Sequence, residues 1–270
     1  MKKLIIALSL LSPVIASAQL ADSTKRLVHV NAANFRDIGG YKTTDGKEIV
    51  WGKIYRSAAI NKLTDADVML LDKKGIHTVI DFRGTAEAAA APDRLPKNTD
   101  YTLSPAGSEN LPDATQMVAL LKQGNFLGKM YGSDGAKYAG DRFRPLFMKL
   151  LTVDKKEAVL YHCTGGRDRT GMATALLLYI LKVPQETIEA DYLASNIYLQ
   201  RMNKNMFAPL AKMSGLTVEQ VESEMVLKPS LLRDFFSELT KQYGSIENFL
   251  KQELAIGPKE IGILRANYTK

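Results

Sequence analysis

The sequence predicts an α/β fold in which a central, mainly parallel sheet is flanked by helices, with a helical C-terminal part behind it. Three observations carry this expectation. Beta-like runs alternate with helical ones through the first two thirds of the 270 residues, the pattern of strand-helix-strand crossovers. The apolar run Ala158–His162 ends in a glycine-containing loop that feeds a helical stretch from Thr170 to Lys182. After Pro184 the apolar spacing is helical almost throughout.

The elements follow in chain order. Candidate strands are Leu27–Val30, Lys53–Arg56, Thr78–Phe82, Tyr101–Leu103 and Ala158–His162, each a short β-branched or aromatic run. The segment Trp51–Ser57 could also pair with Ile49 and its neighbours as a small antiparallel addition. A helix is expected over 65–74, where Thr64 and Asp67 have the spacing of a capping box. The run Glu87–Ala91 reads as a helical turn stopped by Pro92. Further helices are expected over 114–122, after Asp113, and over 137–151. In the last third Thr217 with Gln220 makes another capping-box start, Gly244 and Ser245 separate two helices, and Gly257-Pro258 opens a last one. Residues 198–228, rich in methionine and lysine, are either a helical lid over a site or a pair of surface helices. No Gly/Ser or Pro tract divides the chain, so residues 19–270 are expected to form a single domain.

The first 18 residues read as a cleavable export signal. Lys2 and Lys3 precede an apolar run from Leu4 to Ile15, and Ala16 and Ala18 sit at cleavage spacing. The run is too short and too interrupted, by Ser9, Ser12 and Pro13, for a membrane anchor. An exported, periplasmic or secreted bacterial protein is expected, with no stable membrane insertion after cleavage. Removing residues 1–18 takes away two lysines and no acids, so the formal charge falls from +7 to +5. That mild excess suits anionic small ligands, while the lack of a basic tract excludes a nucleic-acid binder as the economical reading.

Cys163 is the single cysteine. A lone cysteine is by default a buried filler that packs as a small hydrophobe, so its context must decide. It opens the loop Cys163-Thr164-Gly165-Gly166-Arg167-Asp168-Arg169, between strand and helix. A tight loop feeding a helix N-terminus turns its backbone N–H groups inward and makes an anion site. A thiol at the start of such a cradle is stabilised as thiolate by those groups and by Arg169. The planar fork of Arg169 can grip two oxygens of a phosphoryl group. The loop is therefore suited to phosphoryl transfer to sulfur.

These residues carry a resemblance. His162-Cys163, with Arg169-Thr170 after five intervening residues, resembles the HCx5R(S/T) signature of the cysteine-dependent protein tyrosine phosphatase superfamily. The Cys-x-x-Gly-x-Asp-Arg form is similar to that of the atypical bacterial tyrosine/serine phosphatases, whose loop usually reads HCxxGKDR, so Arg167 replaces a lysine. Asn34–Tyr41, Ile54–Ser57, Val79–Arg83 with Glu87, Pro229–Leu232 and Tyr243–Ser245 resemble further motifs of that family. The resemblance spans about residues 27–267 and implies a protein tyrosine phosphatase-like fold and a phosphomonoesterase that uses no cofactor and no metal.

It also implies roles. Cys163 attacks phosphorus and forms a cysteinyl phosphate, Arg169 holds the phosphoryl oxygens, and Thr164, Gly165, Gly166, Arg167 and Thr170 line the phosphate site. Asp168 is the general acid of the resembled family; in the wider superfamily a separate loop supplies it, for which Asp113 and Asp93 are candidates. His162 supports the loop, Arg36, Asp37 and Gly39 build a corner near the site with a direct substrate contact by Arg36 as the alternative, and Asp81 with Arg83 forms an ion pair or lines the crevice. The expected substrates are phosphorylated proteins, with phosphoinositides or inositol phosphates favoured if Arg167 adds a cation to the site. Two readings from other classes compete: a non-catalytic phosphate-binding module, and a sulfurtransferase, which Val79–Glu87 faintly resembles.

Overall fold

The computed structural model describes residues 23–106 and 114–270. Residues 1–18 and Asp113 lie outside them. Five strands, β1 (Arg36–Asp37), β2 (Ile54–Ser57), β3 (Ile76–Asp81), β4 (Asp100–Leu103) and β5 (Ala158–His162), form one sheet in the order β1-β2-β5-β3-β4. The three pairings among β2, β5, β3 and β4 are parallel and only β1 runs against β2. The sheet thus has the mainly parallel character expected, with β5 at its centre.

The helices are α1 (Ser23–Arg26), α2 (Asp65–Lys73), α3 (Thr85–Ala90), α4 (Ala114–Gln123), α5 (Phe126–Tyr131), α6 (Ser133–Thr152), α7 (Arg169–Ile180) and α8 (Gln185–Tyr198). They are followed by α9 (Gln200–Ser214), α10 (Val218–Met225), α11 (Pro229–Tyr243), α12 (Ile246–Glu253) and α13 (Pro258–Tyr268). The capping boxes at Thr64/Asp67 and Thr217/Gln220 form with both reciprocal bonds. Gly244, at φ 80°, ends α11 in the left-handed conformation that glycine tolerates, and Ser245 caps α12.

Every residue of β5 is buried, because both of its faces are covered. Val159 and Tyr161 point into a large core shared with α6, α7 and the C-terminal helices, while Ala158 and Leu160 point into a smaller one with Leu71 of α2 and Phe35. Helix α7 is apolar all round and buried along nearly its whole length, as a helix enclosed by others must be. Its Gly171 lets Tyr192 of α8 approach, since an added Cβ there would lie 3.1 Å from that ring.

Two expectations are corrected and a third is extended. Leu27–Val30 is not a sheet strand: only Leu27 bridges Arg36, and Val28 N donates to Phe35 O, because β1 is two residues long and offers no further edge. The antiparallel partner of Ile54–Ser57 is Arg36–Asp37, whereas Ile49 bridges Thr269 near the C-terminus. The helix expected over 137–151 is part of the longer α6, which is kinked at Gly140.

Candidate active site

The parallel strands β2, β5, β3 and β4 all end on one side, where crevices open in sheets of this kind. Cys163 follows β5 directly and is buried. The loop behind it is held from outside by its carbonyl groups. Asn34 Nδ2 donates to the carbonyls of Gly166, at 2.8 Å, and Gly165, at 3.2 Å; Arg56 Nη2 donates to Gly166 O at 2.8 Å, and Ala59 N to Thr164 O at 3.1 Å. Gly166 sits at φ 60°, and an added Cβ would fall 2.2 Å from Ser57 O, so only glycine fits. Among the described residues no amide from Thr164 to Asp168 donates a hydrogen bond, which leaves five donors available to an anion beside the N-terminus of α7.

Arg169 begins α7, where a cation opposes the helix dipole. Glu87 of α3 balances it with a fork-to-fork pair, accepting Nη1 at 2.7 Å and Nη2 at 3.0 Å. Phe82 O accepts Nη1 as well, and Thr164 Oγ1 donates to the same Glu87. Burial works against the Arg169 charge, yet the neighbouring Cys163 sulfur and the Glu87 carboxylate outweigh it and hold the guanidinium well above its ordinary value. The hydroxyl of Thr170 is buried and has no partner among the described residues.

Behind the loop lies a buried polar network. Asp191 of α8 takes Arg36 Nε on Oδ1 at 3.0 Å and Arg56 Nη1 on Oδ2 at 2.5 Å, and Tyr41 donates to it at 3.0 Å. Its burial would raise the carboxyl, but the two guanidinium groups hold it well below the carboxylate range. Arg36, which also donates to Asn34 Oδ1, is 1 % exposed and turned to the buried network behind the loop. Asp37 accepts from the amides of Gly39 and Gly52, both at 2.7 Å, and so ties the turn after β1 to the segment before β2.

On the other flank Asp81 pairs with Arg83, with Nη2 at 2.7 Å from Oδ2, and Tyr101 donates to it at 2.9 Å. Asp81 therefore braces the end of β3 and does not line the crevice. His162 is fully buried, with Nε2 3.0 Å from Asp93 Oδ2, close enough for an ion pair but out of hydrogen-bond alignment. Asp93 also lies 2.8 Å from Arg83, and its carboxyl is 2 % exposed, which removes it as a mobile acid. Asp81, Asp93 and His162 bring donor atoms within 4.8 Å of one another, the outline of a metal cluster. The Arg83 guanidinium already sits against both carboxylates there and supplies the positive charge a cation would bring.

Two loop residues have side chains engaged by neighbours. Arg167 is a buried side chain that donates Nη1 to Met225 O at 2.9 Å and lies with Nε 3.0 Å from Asp168 Oδ2. Its charge is committed to the end of α10 and to its neighbour, so it adds no free cation to the phosphate site. Asp168 makes no cap bond to α7; its Oδ1 accepts from Tyr131 OH at 2.9 Å. Within the 198–228 segment, Met202 of α9 lies over the loop, its Cε 3.9 Å from where a Cβ on Gly165 would be.

A family model described as the tyrosine phosphatase family matches residues 28–270. The chain belongs to the tyrosine phosphatase family. A Cupriavidus necator protein provisionally named a tyrosine-protein phosphatase is 28 % identical over 244 residues, covering 87 % of this chain and 85 % of its own. The triple specificity protein phosphatase PtpB of Mycobacterium tuberculosis is 29 % identical, over 61 % of this chain and 67 % of its own. A solved structure, P. aeruginosa TpbA, is similar at 16 % identity with a TM-score of 0.31 over 66 % of this chain and 89 % of its own, an overlap too slight to bear on the argument. This tyrosine phosphatase is thus a cysteine-dependent enzyme, and Cys163 is its single cysteine.

Asp191, Glu87 and Tyr131 were not assigned roles from the sequence. Asp191 leaves a trace there, since an acid among Ile188, Tyr192 and Ser195 sits on the buried face of its helix and must find a partner. Glu87 lies in a recognised motif, but only the fold brings it to Arg169.

Proposed function

We propose that this phosphatase hydrolyses phosphotyrosine, and in the dual-specificity manner phosphoserine or phosphothreonine, in proteins of the compartment to which it is exported. The observation that carries the reading is the loop itself: its carbonyls are tied off outward, its amides are free, and Cys163 lies at its start with Arg169 at its end. Cys163 Sγ attacks phosphorus in line as the P–O bond to the leaving group breaks. Arg169, held flat by Glu87, and the loop amides stabilise the charge on the equatorial oxygens. Asp168 gives a proton to the leaving oxygen and later takes one from the water that hydrolyses the phosphocysteine. Thr170 donates its unpartnered hydroxyl to the sulfur when thiolate leaves.

The protein-phosphate reading is favoured over inositol phosphates because Arg167 is engaged with Asp168 and Met225 O. Residues 1–18 serve as the export signal, and 19–270 as one catalytic domain with α9 and α10 over the crevice. The test is release of inorganic phosphate from phosphotyrosine, phosphoserine and phosphoinositide panels by the mature chain, beside Cys163→Ser. Turnover on phosphopeptides that Cys163→Ser abolishes while still binding them supports the reading. Turnover confined to phosphoinositides overturns the substrate assignment, and binding without turnover overturns catalysis.

A further inference from the structure

We propose that Tyr131 is a positioning residue for Asp168, its hydroxyl holding Oδ1 so that Oδ2 carries the proton to the leaving group. The proposal rests on the assignment of Asp168 as the general acid. An aspartate at a helix N-cap ordinarily accepts from an amide two or three residues on. Asp168 stands at the N-cap of α7 and makes no such bond. Its carboxyl is turned instead toward two side chains, Tyr131 at 2.9 Å from the end of α5 and Arg167 Nε at 3.0 and 3.2 Å from within the loop. The preferred local bond has been given up for a long-range one, so the carboxyl is placed by the tertiary structure.

Tyr131 is built to hold a fixed point. It is fully buried, and its ring meets that of Tyr192 edge-on with centroids 5.8 Å apart. A tyrosine has few torsions, so a packed ring fixes where its oxygen lies. The charged and titratable groups around the carboxyl are Arg167, Arg169, Tyr131 and, behind it, Tyr192. Burial first, and the Asp168 charge second, push the Tyr131 phenol well above its ordinary value, so it remains a donor across the working pH range. Tyr131 occupies Oδ1, which leaves Oδ2 with only the Arg167 contact. In the first half-reaction Oδ2–H passes its proton to the ester oxygen as the S–P bond forms and the P–O bond breaks. In the second, the carboxylate takes a proton from water as the water oxygen bonds phosphorus, and the S–P bond breaks to return the thiolate and release inorganic phosphate.

Tyr131→Phe keeps the ring and removes only the hydroxyl. The assay compares phenyl phosphate, whose leaving group needs a proton, with para-nitrophenyl phosphate, whose leaving group does not. Tyr131→Phe is expected to lower kcat on phenyl phosphate about 10-fold or more, within the range of general acid catalysis. On para-nitrophenyl phosphate kcat should stay within about twofold, with KM for both and the melting temperature little moved. Asp168→Asn should show the same selectivity more strongly, and the double variant should be no worse than Asp168→Asn alone. Equal losses on both substrates, or none, from Tyr131→Phe while Asp168→Asn stays selective overturn the proposal and leave the acid assignment standing. An Asp168→Asn enzyme with no selectivity overturns that assignment, and the proposal with it.

Discussion

Arg169 and Asp191 show how single side chains here depend on partners contributed by distant segments. Arg169 is held by both oxygens of Glu87, so its fork is oriented before substrate arrives. Arg169→Ala is expected to lower kcat by about 10²–10³-fold, the loss seen when one donor to a developing anion is removed. Arg169→Lys should recover little of it, because a point charge cannot reproduce the bidentate grip; recovery of most of the rate would contradict that geometry. Asp191 is the single acid between two buried arginines. Asp191→Asn should destabilise the protein by about 3–5 kcal/mol near neutrality in urea unfolding, because two buried charges lose their counterion. The sign with pH follows from its lowered carboxyl. Its contribution is complete above about pH 4, the unfolded value, and is lost as pH falls through the lower folded value. The gap between wild type and Asp191→Asn should therefore narrow between pH 7 and pH 2, and a constant gap would refute the linkage.

At the scale of elements, the loop between β5 and α7 has its shape imposed by β2 and by the segment before β1. Gly166 presses against Ser57 O at the end of β2 and adopts φ 60°. Gly166→Ala is expected to cost about 1–3 kcal/mol from overpacking and more from the left-handed backbone, with kcat falling alongside stability. If differential scanning calorimetry shows an unchanged melting temperature, the loop does not pack as described. The sequence makes β5 and α7 legible, since an apolar run, two glycines and a helical stretch follow one another without interruption. It misleads at Leu27–Val30, whose β propensity is real but whose partner strand is too short to extend the ladder.

At the scale of the whole molecule, the C-terminal helices reach back to the site. Arg167 donates to Met225 O at the end of α10, while Asn196 both donates to Leu227 O and accepts from Leu227 N, each at 3.0 Å. Residues 198–228 are thus pinned at one end to the loop and to α8. The only cluster of metal-ligand type among the described residues already holds a guanidinium. Phosphatase activity is therefore expected to be unchanged by EDTA, and a loss restored by a divalent cation would overturn this. No described helix is long and apolar enough to cross a membrane. The proposed export signal predicts that the N-terminal residue of protein recovered from the periplasm is Gln19.

The chemistry of the loop was written in the sequence by itself, because its parts are contiguous: Cys163, two glycines and Arg169 lie within seven residues, and strand-loop-helix order follows from local periodicity. What surrounds the loop was decided by the tertiary structure alone. Arg167 looked like a free cation because charge is visible in a sequence and its acceptor, a backbone carbonyl 58 residues away, is not. The same reason hid Tyr131 at Asp168 and Glu87 at Arg169, which lie 37 and 82 residues apart in the chain. A side chain's type is local information, whereas its partner exists only once the sheet and its helices have brought distant segments together.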